Sequence, residues 1–218
     1  MTIPLTWDNI GERLYETGVD HGVLYIPDAQ GVYNTGFAWN GLTTVTESPS
    51  GAEATALYAD NIKYLNLYSA EEFSCTIEAF TYPEEFNQFD GMSTPTAGTY
   101  IGQQPRGSFG LSYRSKVGND LVGDDYGYKL HLIYGCTASP SEKAFNTIND
   151  SPEAITFSWE ISTIPMAVSD MRPTSVITID TVTATPANVT ALEDLLYGKD
   201  AVEPKLPTPD EVIALMTT

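Results

Sequence analysis

Apolar and polar residues alternate along most of this chain with a period of two, the pattern of strands with one buried face. Residues 155–163, ITFSWEIST, show it best. Ile155, Phe157, Trp159 and Ile161 fall on one parity, and Thr156, Ser158, Glu160 and Ser162 on the other. Residues 72–82 repeat the theme, with Phe73, Cys75, Ile77 and Ala79 alternating with Glu72, Ser74, Thr76 and Glu78 before Phe80 and Tyr82 break the rhythm. Further strands are predicted at 22–27 (GVLYIP), 32–39 (VYNTGFAW), 63–68 (KYLNLY), 108–116 (SFGLSYRSK), 128–136 (YKLHLIYGC) and 175–182 (SVITIDTV). Phe109, Leu111 and Tyr113 read as inward in one of these, and Tyr128, Leu130, Leu132 and Tyr134 in another. Those two strands make a plausible hairpin across the Gly/Asp-rich stretch 117–127.

Between the strands, residues 40–61 (NGLTTVTESPSGAEATALYADN) are rich in Thr, Ser, Gly and Ala and contain the turn signal SPSG. They are predicted to form a long hairpin or arm projecting from the body. Residues 82–91 predict a short helix, with Pro83 at its start, Glu84 and Glu85 at its positive end and Gly91 beyond it. Residues 92–107 and 139–154 read as loop. A helix is predicted over 187–198 with Gly198 as its cap, then a Pro-broken linker and a short end helix opened by Asp210. The expected fold is mostly β, a sandwich or partly open barrel, with a β-domain over 1–183 and a C-terminal helix and extension over 184–218.

Charge narrows the function. The 218 residues carry 29 Asp and Glu against 10 Lys and Arg, a net −19. Phosphate affinity comes mainly from Lys and Arg, so a basic nucleic-acid-binding domain is not expected, and polyanions should be repelled. No apolar stretch approaches a membrane span, and the N-terminus lacks a signal-peptide pattern, so a soluble protein made in a cytoplasm is expected. Cys75 and Cys136 sit on apolar parities and read as buried reduced thiols.

Catalytic signals are missing. His21 and His131 are far apart in sequence, and His131 lies on the polar parity of its strand, where a surface position is expected. There is no Cys-x-x-Cys or His-x-x-x-His pair, and no phosphate-binding loop. Asp120, Asp124 and Asp125 do not follow calcium-loop spacing and read as a turn. Glu72, Glu78 and Glu160 sit among Ser and Thr on regular strands, which suits a solvated sheet face better than a glycosidase site. No catalytic residue, metal ligand or cofactor is predicted.

Longer blocks carry a resemblance. RLYETGVDHGVLY, FAWNGLTTVTESPSGAEATALYADNIKYLNLYSAEEFSCTIEAFTYPEEFNQFDG, GLSYRSKVGND, GYKLHLIYGCTASPSEKAFNTINDSPEAITFSWEIST and LPTPDEVIAL resemble the major tail (tail tube) protein of long, non-contractile-tailed bacteriophages. The resemblance spans about residues 13–215. It implies two packed β-sheets with a flanking helix, in subunits that form hexameric rings. One sheet of each subunit would join its neighbours around a lumen, and the rings would stack through long loops and terminal arms. The implied partners are further copies of the chain, the tape measure, tail terminator and distal tail proteins, and double-stranded DNA passing through without tight binding. The implied location is the virion tail, assembled in the host cytoplasm, with no membrane and no enzymatic activity. Rival expectations are a distal tail or tail-completion protein and an acidic carbohydrate-binding β-sandwich.

On this reading Glu72, Ser74, Thr76, Glu78, Thr156, Ser158, Glu160 and Ser162 are expected to face the lumen. The 108–136 hairpin is different, because Arg114, Lys116, Lys129 and His131 occupy its polar parity. The rival placement puts the acids on the outer wall. Thr46, Glu47, Ser48, Pro49, Ser50 and Gly51 are the candidate contact between rings, and residues 199–218 are expected to pack outside the tube or bridge neighbours.

Overall fold

The computed structural model describes residues 4–148, 150, 153–200 and 202–217. Asn149, Ser151 and Pro152 of the predicted 139–154 loop lie outside the described residues. So do residues 1–3 of the N-terminal stretch, and Ala201 and Thr218 of the C-terminal extension.

Fourteen strands and two α-helices follow in order among the described residues. They are β1 (Leu14–Pro27), β2 (Tyr33–Trp39), β3 (Leu42–Glu47), β4 (Ser50–Gly51), β5 (Ala54–Ala59), β6 (Ile62–Tyr68), β7 (Glu71–Glu72) and β8 (Ser74–Ala79). After a 3-10 turn at Glu84–Gln88 come β9 (Ser93–Thr96), β10 (Thr99–Ile101), β11 (Phe109–Asn119), β12 (Gly123–Ala138), β13 (Phe157–Thr163) and β14 (Val176–Asp180). Helices α1 (Pro186–Tyr197) and α2 (Pro209–Thr217) follow.

The main antiparallel sheet runs β2-β1-β11-β12-β13-β8-β3, with β14 also paired to β12. Its long central strand divides its pairing. Residues Lys129 to Ile133 bond β14, while Cys136 to Ala138 bond β13. The sheet therefore bends at β12 and lays β13, β8 and β3 over β1 and β11 as a second layer. No closed barrel results, in keeping with the expected sandwich.

Two cores follow. Between the layers, Leu24, Phe109, Leu111, Tyr113 and Ile133 meet Cys75, Ile77, Ala79, Trp159 and Ile161. Phe86 of the 3-10 turn and Phe89 just after it plug one side, with Phe86 edge-on to Trp159 at 5.1 Å. The opposite face of β1, β11, β12 and β14 carries Val23, Tyr25, Leu130, Leu132, Tyr134 and Ile179 against Val189, Leu192, Leu196 and Val212 of the helices. Tyrosine tips tie the layers together as well. Tyr25 Oη donates to the Leu196 carbonyl at 2.8 Å, and Tyr134 Oη to the Pro207 carbonyl at 3.0 Å.

The middle layer is thus covered on both faces, and this overturns several sequence expectations. Tyr113 pairs with His131 and Arg114 with Leu130. The apolar parities of β11 and β12 therefore point to opposite faces rather than into one core. Arg114 and Lys116 share the helix side, whereas Lys129 and His131 lie on the other side, so the four cations do not form one polar face. Cys136 is not in the layer of Tyr134. The ladder shifts by one residue between Leu111–Ile133 and Phe109–Cys136, and Gly135 sits there at φ +61°. A bulge of this kind exchanges the faces downstream, so Cys136 and Ala138 join the inter-sheet core. Both cysteines are buried free thiols, and burial pushes Cys75 up to about 12.

Other boundaries differ too. The first strand begins at Leu14 rather than residue 22, and residues 93–101 form a small hairpin inside the expected loop. Thr208 and Glu211 cap the second helix reciprocally, ahead of the Asp210 start that was expected.

Candidate functional site

Strands β3, β8 and β13 build the outer face of the second layer. Their core-facing parity is Val45, Ile77 and Trp159 in one row and Cys75 with Ile161 in another. The other parity faces away. Glu78 lies directly between Thr44 and Ser158, Thr76 between Thr46 and Glu160, and Ser74 beside Ser162. Six of the eight residues expected on one smooth face, Ser74, Thr76, Glu78, Ser158, Glu160 and Ser162, are therefore contiguous. The structure adds Thr44 and Thr46, so three adjacent strands present only hydroxyls and two carboxylates there. None of these positions carries Lys or Arg. Hydroxyl-rich strands fit an outward face, because Thr favours a pleated sheet and short side chains stay wetted.

Two expected members fall outside this patch. Glu72 lies on β7, which pairs with β4 rather than extending β8. Thr156 precedes the first residue of β13.

The expected arm is redrawn. Thr46 and Glu47 belong to β3 in the main sheet. Ser50 and Gly51 form β4, opposite Glu72 and Glu71. Ser48 lies just before it and donates its N–H to the Ser74 carbonyl at 2.8 Å. Beyond this root, β5 and β6 form a separate hairpin closed by Asp60 and Asn61, with φ of +51° and +64°. Two successive positive φ values mark the mirror-image turn that matches strand twist.

This hairpin is not small and polar. Thr55 pairs with Leu67, Leu57 with Leu65 and Ala59 with Ile62, which gives one face of apolar side chains. Ile62 is 64% exposed and Leu67 54%, while Tyr58, Tyr64 and Tyr68 are exposed as well. A two-stranded ribbon with an uncovered apolar face is marginal in water by itself. The alternation of 62–68 and the two-residue turn were visible in the sequence, but that segment reads as a body strand when the arm is ended at residue 61.

Two cations of the middle layer, and two on the loops beside it, are paired. Arg114 makes two hydrogen bonds to Asp20, at 2.7 and 3.1 Å, and lies over the Tyr128 ring at 4.6 Å. Lys129 pairs with Glu16. Arg106 and Lys143 bond buried Asp90 at 3.4 and 2.5 Å. Burial pushes Asp20 up, but the Arg114 and His21 contacts outweigh it and hold the carboxyl below its usual range.

His131 is not a surface residue. It is 9% exposed and stacks on Tyr113 at 4.6 Å with the rings 7° apart. Its Nδ1 is 3.2 Å from Glu47 Oε1, and its Nε2 is 2.9 Å from Ser115 Oγ. Tyr113 Oη donates to the same Glu47 oxygen at 2.5 Å. The His131 hydrogen bond holds the Glu47 carboxyl low against the upward push of burial, with Tyr113 assisting. Sequence parity placed His131 outside because the facing strand that covers it is distant in the chain.

A carbohydrate site of the kind considered needs exposed aromatics beside paired acids. Trp39 and Trp159 are 3% and 0% exposed, Trp159 packing on Tyr82 and Trp39 within the core, whereas Trp7 is 75% exposed.

No protein-family model matches this chain, and no curated protein matches it. Among solved structures, it is similar to a chain of the anti-feeding prophage baseplate, determined by cryo-electron microscopy with six-fold symmetry imposed. The TM-score is 0.37 and the identity 10%, over 84% of this chain and 99% of the other.

Proposed function

We propose that this chain is a structural virion protein, the subunit of the tail tube of a long, non-contractile-tailed phage, polymerising as stacked hexameric rings into a conduit for the genome. The observation that supports this reading is the cation-free Ser/Thr/Glu face over β3, β8 and β13. A DNA conduit must not hold its cargo. A single luminal Lys or Arg would recur in every subunit of every ring, and each phosphate contact would add drag. Carboxylates repel the duplex over about 8 Å at physiological salt, and hydroxyls keep the wall wetted.

The unpaired outer edge of β3 offers backbone groups for strand addition by a neighbour. The β5–β6 hairpin supplies an apolar face that an adjacent subunit would cover. On this account the chain catalyses nothing, needs no cofactor, and takes other tail proteins as end partners. Negative-stain microscopy of the purified protein at increasing concentration tests the reading. Rings or tubes with an open bore are expected; a species that stays monomeric at all concentrations, with and without nucleating tail proteins, would overturn it.

A further inference from the structure

One cavity of this acidic chain is lined by cations. It has a volume of about 430 Å³, lies just after the 3-10 turn, and is walled in part by Asp90, Gly91, Gln104, Arg106, Ser141 and Lys143. The Asp90 side chain is 4% exposed and takes both Arg106 and Lys143, at 3.4 and 2.5 Å. No other carboxylate among the described residues pairs with two Lys or Arg side chains. Two cations on one carboxylate leave the cluster with a spare positive charge, in a chain whose net charge is −19.

The donors in the cavity are fixed but not exhausted. Arg106 uses only Nη1 on the protein, donating to the Ala138 carbonyl at 3.1 Å and to the Phe89 carbonyl and Asp90 Oδ1 at 3.4 Å. Its Nε and Nη2 make no hydrogen bond to a described residue. Gly91 keeps that edge open. It has φ +74°, and a Cβ there would lie 3.2 Å from Arg106 Nε and 3.3 Å from Cζ. Lys143 Nζ rests over the Tyr82 and Phe157 rings, 5.5 and 5.9 Å from their centroids. Ser141 Oγ is buried and has no hydrogen-bond partner among the described residues. A buried hydroxyl left unpaired is costly, and a ligand that accepts from it removes that cost.

We propose that this cavity binds a carboxylate, gripped by Arg106 Nε and Nη2 and completed by Ser141 Oγ and the Lys143 ammonium. The guanidinium edge offers two parallel N–H donors, which match the two oxygens of a planar carboxylate. The charge matches as well. One negative charge neutralises the spare positive one, whereas the second charge of a phosphate would face Asp90 unpaired. The carboxylate comes free from solution or on an Asp or Glu side chain of a second copy, and each copy carries 29 of these. The site belongs to the single subunit and stands apart from the tail-tube reading.

The test is a sodium acetate titration of the full chain at the lowest measurable protein concentration, with sodium chloride at matched ionic strength as the control. The Arg106 Nε–Hε signal in nitrogen-15 correlated NMR is the readout. A saturable shift is expected in acetate, with half-saturation on the order of 1–10 mM, and none in chloride. Ser141→Ala should weaken acetate binding about fivefold by removing one donor, and Lys143→Gln by at least about tenfold by removing the spare charge. If one variant fails to fold, the other still decides. A protein-concentration series without acetate separates the two sources. A signal that moves toward its acetate-bound position as the protein is concentrated assigns the carboxylate to a second copy, and one that stays in place assigns the site to a free acid. A signal that answers acetate no more than chloride, or an acetate affinity unchanged in a folded variant, overturns the proposal.

Discussion

Replacing Gly135 by alanine should damage this fold far more than the same change at another left-handed glycine. Gly135 sits at φ +61°, and a Cβ there would lie 2.3 Å from the Ile164 carbonyl oxygen. That oxygen is backbone, so no rotamer change relieves the overlap. The strand must shift instead. Two hydrogen bonds are at stake: Ile164 N–H to the Gly135 carbonyl and Gly135 N–H to Tyr33 Oη, both 3.0 Å. The left-handed conformation costs alanine about 1–2 kcal/mol, and each lost bond about 1 kcal/mol, giving about 3–5 kcal/mol once the clash is added. Gly98 is the control. It has φ +77° and nothing within 4 Å of the added Cβ. There the conformational cost is partly offset by the stiffer unfolded chain, leaving about 1 kcal/mol. Urea denaturation followed by tryptophan fluorescence should show a midpoint loss of about 1.5 M for Gly135→Ala and about 0.4 M for Gly98→Ala. Equal losses in the two variants would refute the claim that this bulge sets which core β12 enters.

Three further outcomes are expected. Trp159→Ala should cost about 4 kcal/mol, whereas Trp159→Phe should cost under about 2 kcal/mol because the buried indole Nε1 has no hydrogen-bond partner among the described residues to lose; urea midpoints separate the two. Asp20 and Glu47 both have depressed folded values, so the stability they add is present above the ordinary carboxyl range near about 4 and is lost as pH falls through the folded values. Melting temperatures should therefore drop on that acid limb, and Asp20→Asn should make the drop shallower. Truncation after Gly198 should lower the melting temperature outright, since it removes buried Leu206 and Val212 and the Pro207 carbonyl that accepts from Tyr134; an unchanged melt would show that the helix-side core does not need them.

What was legible in the sequence depended on how many sides of a strand are covered. β8 and β13 bury one face each, so their parity names both the core and the outward patch. β11 and β12 are covered on both sides, and a strand of that kind has apolar residues on either parity. Taking one parity as inward misplaces the other, and the sequence pattern alone therefore groups His131 with the basic residues on a single polar face. The bulge at Gly135 then moved Cys136 to the opposite core, and one glycine in a strand does not disclose that by itself. The arm was misjudged for a related reason. The outward threonines of β3 look like arm composition, while the apolar residues of β6 look like a body strand. Only the pairing partners, Cys75 to Ala79 for one and Ala54 to Ala59 for the other, tell them apart.

The central claim is that the Ser/Thr/Glu patch is the wall of a bore. A cryo-electron microscopy density map of the assembled protein tests it most directly. The account predicts a tube in which β3, β8 and β13 form the inner surface, with Glu78 and Glu160 directed at the axis and the β5–β6 hairpin seated on an adjacent subunit. A tube whose inner surface is built by another face, with Glu78 and Glu160 on the outer wall, would contradict it.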